Sequence, residues 1–228
     1  MKEAVIVSTA RTPIGRAYRG AFNNTDSPTL GGHVLAEAVR RAGIDPGEVQ
    51  DVVMGCALTQ GSSAMNIGRL AALAAGFPVS VSGMTVDRQC SSGMYAISIA
   101  ANMIRNEGLS VAVGAGLDQV SLIQNDKMNL FRLGDINVTK VSPHAYMPML
   151  DTAEVVAKRY NISREQQDEY ALQSQQRTAA AQAAGKFDLE ITPLKTSMAV
   201  VSKETKEVSY QNVTLTRDEG NRADTTLE

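Results

Sequence analysis

The stretch Thr85–Arg105, TVDRQCSSGMYAISIAANMIR, constrains the fold more than any other part of the chain. After the charged pair Asp87-Arg88 and then Cys90, it continues as a helix made of Ala, Ile, Met and Ser on nearly every side. A helix that is apolar all round belongs in a core, so the rest of the chain has to supply layers that enclose it. Cys90 falls in the first turn, where unsatisfied backbone N–H groups and the helix dipole favour a thiolate. Ser91, Ser92 and Gly93 leave room for the sulfur and bring those amides close. Local sequence leaves two readings of Cys90 open. One is a nucleophile on a rigid buried support; the other is a small buried hydrophobe ahead of an apolar helix.

The segments on either side supply the layers. Ala4–Ala10 is a short β-branched run that predicts a buried strand. Residues 29–42 carry Leu30, Val34, Leu35, Ala38 and Val39 at helical spacing, with Arg40 and Arg41 in the last turn and Gly43 as the stop. A strand is expected at 51–58, a helix at 64–75 closed by Gly76 and Pro78, and a strand at 81–86. The Cys90 helix then runs to about Asn106, and Val111–Gly116 is a fourth short strand. Strands alternating with helices predict a layered α/β unit with a largely parallel sheet.

Beyond Gly116 the texture changes, and 117–150 reads as a loop-rich excursion. A short helix follows at 152–160. Ser163 with Gln166 forms a capping-box pattern that opens a long helix to Gly185. Extended segments are expected at 191–196 and 197–215, and the polar tail 218–228 ends without a closing element, so the chain reads as cut short.

A net charge of −2 gives no reason to expect nucleic acid or a membrane surface as the main partner. No apolar run reaches the length that spans a bilayer. The opening MKEAVIVSTA has an acid at Glu3 and enters a strand at once, unlike a secretory signal. Two cysteines with neither a pairing framework nor a C-x-x-C fit a reducing compartment, with the cytoplasm as the expected location, and argue against a redox protein.

The run D-R-Q-C-S-S-G-M at 87–94 resembles the acyl-enzyme signature of the thiolases, usually N-R-x-C-x-S-G, and departs from it at Asp87. Further stretches resemble the same family in the same order. They are A-R-T-P-I-G at 10–15, N-I-G-R-L-A-A-L-A-A-G-F-P at 66–78, T-A-E-V-V-A at 152–157, and I-S-R-E-Q-Q-D-E-Y-A-L-Q-S-Q-Q at 162–176. The resemblance covers essentially the whole chain. The β-ketoacyl synthases share the fold and a nucleophilic Cys but not this set of flanking segments. The resemblance implies an α/β, thiolase-like layered α/β/α half with a mostly parallel or mixed sheet and an inserted loop-rich helical subdomain. Residues 1–116 would be the N-terminal core, 117–207 an excursion covering a coenzyme A site and 208–228 a segment returning to the core, with the second thiolase half absent.

The resemblance also implies a chemistry. Cys90 would attack an acyl-CoA thioester and form an acyl-enzyme, within thiolytic cleavage of a 3-ketoacyl-CoA or Claisen condensation of acyl-CoA. Acyl-CoA and CoA would be the partners, with no permanently bound cofactor and no metal. The full-length protein would be a dimer or tetramer. The Cys90 backbone N–H is one expected oxyanion donor. In the family the α-proton goes to a second Cys in a glycine-rich motif, and a His in a G-H-P motif supports the nucleophile; neither motif occurs here. Cys56 reads as structural, and His33 as a surface or interhelical His. Met149 matches a residue lining the pantetheine region, Arg222 falls where an Arg lies near the adenine, and His144 is a third candidate for CoA contact. Leu150 replaces a family Gly beside Met149, which leaves the acyl preference open. A non-catalytic CoA-binding or assembly module, or one half of a split enzyme, stands as the alternative.

Overall fold

Val52, Val53 and Met54 are fully buried, and the first unit is built around where they point. They lie in the central strand of a three-stranded parallel sheet of order β2-β1-β3, with β1 at Asp51–Gly55, β2 at Ser82–Val86 and β3 at Ala112–Gly116. Val53 is in register with Met84 on one side and Gly114 on the other. Alternation along β1 divides the core in two. Val52 and Met54 pack with Leu35 and Val39 of α1 (Ser27–Ala42) and with Ile67 and Ala71 of α2 (Ile67–Ala74). Val53 packs on the opposite face with Ala96 and Ala100 of α3 (Ser92–Asn102) and with Met103. Since β2 and β3 flank β1 on opposite sides, the chain crosses the sheet in opposite directions. Right-handed crossovers then put α2 and α3 on opposite faces.

The computed structural model describes residues 3–227, and the chain divides into two compact units. The first comprises residues up to 128 together with 188–220; the second comprises 129–187 together with the segment from 221. In the first unit, α1 buries Ser27, Gly31, Leu35 and Val39 along one stripe and ends at Gly43 in the left-handed region. A short α4 (Val120–Ile123) follows β3. An antiparallel hairpin of β4 (Leu194–Val201) and β5 (Val208–Leu215) completes the unit. It is held to the 21–25 turn by Asn23, whose side-chain amide donates to the Ala199 carbonyl at 2.8 Å and accepts from its N–H at 2.9 Å. Leu194, Ala21 and Phe22 form a third apolar cluster, with Leu30, Val213 and Leu215 packed against it.

The second unit is helical, with α5 (Ile136–Val141), α6 (Met149–Tyr160) and α7 (Arg164–Ala183). Pro148 precedes α6, which ends at Asn161 in the left-handed region. The reciprocal capping box expected of Ser163 and Gln166 is present at the start of α7. The closing segment returns to α7, where the Arg222 N–H donates to Gln175 Oε1 at 2.8 Å and Asn221 Nδ2 donates to the Gln175 carbonyl at 2.9 Å.

Two sequence expectations change. Residues 4–10 form no ladder, and Val5, Ile6 and Val7 are exposed. A β-branched run dictates an extended backbone, whereas pairing needs a neighbouring strand, and the first bridge comes only at Arg11, opposite Ile191. The α3 helix is not enclosed. It buries one stripe through Ala96 and Ala100, while Met94 remains 73% exposed, because no layer among the described residues covers its outer face. The hairpin belongs with the first unit, where Leu194 is buried beside Ala21 and Phe22 and Val213 and Leu215 pack against them, and 221–227 belong with the second.

A carboxylate pair fastens the loop that follows the first extended segment. Arg11 gives two parallel N–H bonds to Asp218, at 2.7 and 3.0 Å, and Asp218 also accepts from the Ile14 N–H at 2.7 Å. Glu219 accepts from the backbone of Arg16 at 2.8 Å and of Ala21 at 3.1 Å. Burial by itself would raise the Asp218 carboxyl. The Arg11 hydrogen bond, the Ile14 amide and the Arg11 charge outweigh it and hold it below its ordinary 3.8. A depressed folded value contributes stability that is present above the unfolded value and lost as pH falls through the folded one. Asp218→Ala should therefore cost about 2 kcal/mol at pH 7 in urea denaturation, with the difference from wild type shrinking as the pH drops below about 4.

Candidate active site around Cys90

Five residues carry the chain from β2 into α3, and hydrogen bonds fix their path. Gln89 has φ +50°, a left-handed conformation that costs a non-glycine residue about 1–3 kcal/mol. Asp87 Oδ1 accepts from the Gln89 N–H at 2.8 Å. Ser92 Oγ accepts from the Arg88 N–H at 2.7 Å and donates to the Gln89 carbonyl at 2.6 Å. Ser91 Oγ donates to the Arg88 carbonyl at 3.1 Å. The Arg88 guanidinium lies over the Tyr95 ring, 4.5 Å from its centroid. Cys90 is left at the tip of this turn, exposed and with a free thiol.

Cys90 precedes the cap residue Ser91, so it sits just outside α3 rather than in its first turn. Ser91 turns its hydroxyl back to Arg88, and no side chain caps the helix. The turn is closed through the amides of Arg88, Gln89, Ser91 and Ser92, and the Cys90 amide is not among these donors. An exposed thiol beside an uncapped helix terminus combines a nucleophile with N–H groups suited to a developing oxyanion.

The helix start lies directly on the end of β1. A Cβ on Gly55 would come within 2.2 Å of the Ser92 carbonyl carbon and 2.4 Å of the Gly93 nitrogen. Only glycine lets the two backbones approach this closely. A cavity of about 910 Å³ opens in this unit, lined by residues 4–17, by α1 and β3, and by Gln89, Cys90, Ser92 and Gly93. Its size lies in the range of small-molecule sites.

Cys56 behaves differently from Cys90. It follows β1, is fully buried, and its thiol donates to Asp118 Oδ1 at 3.5 Å. Burial first, and then the Asp118 charge, push the thiol up to about 11, although Ser63 and the Leu58 amide pull the other way. It therefore stays protonated near neutral pH, and its packing is that of a small buried hydrophobe. Asp118 also accepts from the Leu58 N–H at 2.9 Å and the Ala57 N–H at 3.2 Å, fixing the loop after β1.

The remaining candidates lie elsewhere. His33 is half-buried within α1, and its Nε2 has no hydrogen-bond partner among the described residues. Met149, His144 and Arg222 all belong to the second unit, whereas Cys90 belongs to the first. Met149 opens α6 and is exposed, as is Leu150 beside it. His144 is an exposed turn residue whose carbonyl accepts from the Met147 N–H. Arg222 is exposed, with its backbone pinned at both ends by Gln175 and Thr225. Among the described residues no group of His, Cys, Asp and Glu could hold a metal ion.

Sequence reasoning singled out Cys90 but missed the parts that present it, namely the left-handed Gln89, the double bond of Ser92 and the bare Gly55. A signal for the last was present. An isolated glycine at the end of an apolar strand marks a close backbone approach.

The family model described as "Thiolase, N-terminal domain" matches residues 4–228. The 3-ketoacyl-CoA thiolase of Bacillus subtilis is 37% identical over 228 residues, covering 100% of this chain and 58% of that protein. The acetyl-CoA acetyltransferase of Cupriavidus necator is 39% identical over 204 residues, covering 85% of this chain and 51% of that protein. Among solved structures, the Bacillus anthracis acetyl-CoA acetyltransferase superposes with a TM-score of 0.77 at 37% identity, covering 100% of this chain and 57% of that one. The chain thus spans about half the length of the curated relatives it matches.

Proposed function

Because the chain belongs to the thiolase family, as its N-terminal domain, we propose that it carries the acyl-accepting part of an acyl-CoA C-acyltransferase, with Cys90 as the nucleophile. The observation that carries this reading is the exposed Cys90 thiol at an uncapped helix terminus, lining a cavity of about 910 Å³. In the reaction the Cys90 thiolate forms a bond to the carbonyl carbon of an acyl-CoA thioester, the carbon–sulfur bond to CoA breaks, and CoA leaves as a thiol after taking a proton. The tetrahedral oxyanion is stabilised by amides at the start of α3 and by the Cys90 N–H.

The same proposal includes residues of the second unit. Met149, His144 and Arg222 contact CoA, with Arg222 suited to stack on a base or pair with phosphate. No residue of these 228 lies in a G-H-P or glycine-rich Cys context, so they supply acyl capture rather than removal of the α-proton. The acyl preference stays open at Leu150. Homo-oligomerisation and a cytoplasmic setting belong to this reading as well; the latter draws on two free thiols and on bacterial relatives, although other relatives are named peroxisomal. No helix among the described residues is long and apolar enough to cross a membrane.

Intact-protein mass spectrometry after incubation with acetyl-CoA tests the reading. The expected result is one acetyl adduct, discharged by neutral hydroxylamine as a thioester is, on the peptide that contains Cys90. CoA binding without any adduct would overturn nucleophilic capture and leave a CoA-binding module.

A further inference from the structure

We propose that Asp87 is a positioning residue for Cys90, its carboxylate oxygen holding the left-handed Gln89 that sets the thiol against the N-terminus of α3. This inference rests on the reading of Cys90 as the acyl-accepting thiol. Left-handed Gln89 is the costly step in the turn, and its N–H is satisfied by Asp87 Oδ1 at 2.8 Å. Its carbonyl is held from the other side by Ser92 Oγ at 2.6 Å. Cys90 follows Gln89 directly, with Ser91 between it and the helix. Ser92 is 3% exposed and lies where α3 meets β1, so replacing it disturbs packing as well as the turn. Asp87 is exposed and makes its contact through one acceptor oxygen, so it can be changed with the core left intact.

The bond needs an acceptor at Oδ1 and not a charge. Asn presents the same carbonyl oxygen at the same place and forms the same local turn. Asp87→Asn therefore removes the charge and keeps the restraint, whereas Asp87→Ala removes both. Comparing the two variants isolates positioning from electrostatics.

Two reactions of Cys90 read different properties. Alkylation by iodoacetamide requires a reachable thiolate. Acetylation by acetyl-CoA requires in addition that the thiol be fixed relative to the oxyanion donors. The expected result is that Asp87→Ala acetylates about tenfold more slowly than Asp87→Asn, while the two alkylate at equal rates. Hydrogen exchange of the Gln89 amide should be about fivefold faster in Asp87→Ala than in Asp87→Asn. Equal acetylation in the two variants overturns the proposal, and so does a parallel loss of alkylation or an unchanged Gln89 amide. If wild type alkylates at Cys90 but never acetylates, the acyl-capture reading fails by itself, and the Gln89 exchange contrast still decides whether Asp87 positions the turn.

Discussion

Cys90→Ser should lower acyl capture from acetyl-CoA by on the order of 10³-fold or more. Among the described residues no histidine lines the cavity to serve as a base for a serine hydroxyl at this place. Its flanking hydroxyls are engaged, Ser91 with the Arg88 carbonyl and Ser92 with the Gln89 carbonyl. Asp87 Oδ1 accepts from the Gln89 amide, and His33 lies within α1 and does not line the cavity. A thiol differs because sulfur is intrinsically the stronger nucleophile. Quenched-flow labelling followed by intact mass gives the rates. The paired control is Cys56→Ser, which retains a donor to Asp118 and should acetylate within twofold or so of wild type. Wild-type rates in the Cys90 variant, or loss of the adduct in the Cys56 variant, would move the chemistry to the other thiol.

How far the sequence was legible follows from which forces decide each element. The helices around the sheet could be read from local signals: Gly43 ends α1 in the left-handed region, and Ser163 with Gln166 opens α7. Those signals act over a few residues. The run AVIVSTA also has a local signal, for a buried strand. Whether it pairs depends on residues distant in sequence, and none ladders with it among the described residues. The helix after Cys90 shows the same limit from the other side. Its composition demands burial all round, yet the helix buries fully one stripe, Ser92, Ala96 and Ala100. At the site itself, Cys90 stood out by residue type and flanking small residues. The strain at Gln89 did not, because the hydrogen bonds that offset it come from Asp87 and Ser92 acting together across the turn.

Gly55→Val is the substitution expected to damage both the fold and the site. At Gly55 a side chain meets backbone, with the Ser92 carbonyl carbon at 2.2 Å and the Gly93 nitrogen at 2.4 Å from a first carbon. Backbone does not rotate away as a flexible side chain can, so the start of α3 has to lift off β1. Overpacking of this kind costs typically about 1–3 kcal/mol and occasionally more, and a branched side chain against the backbone at the start of α3 should reach about 3 kcal/mol. The lift also displaces Ser92 from Arg88 and Gln89, so the turn that presents Cys90 loses one of its two restraints. Acetylation of the folded fraction should then fall at least about tenfold, beyond what the loss of folded protein explains. Urea denaturation gives the stability, and acetyl-adduct rates in conditions where the variant remains folded give the second effect. A variant that is destabilised yet acetylates normally once folded would show that α3 can shift on β1 without moving the thiol, and would separate the helix start from the presentation of Cys90.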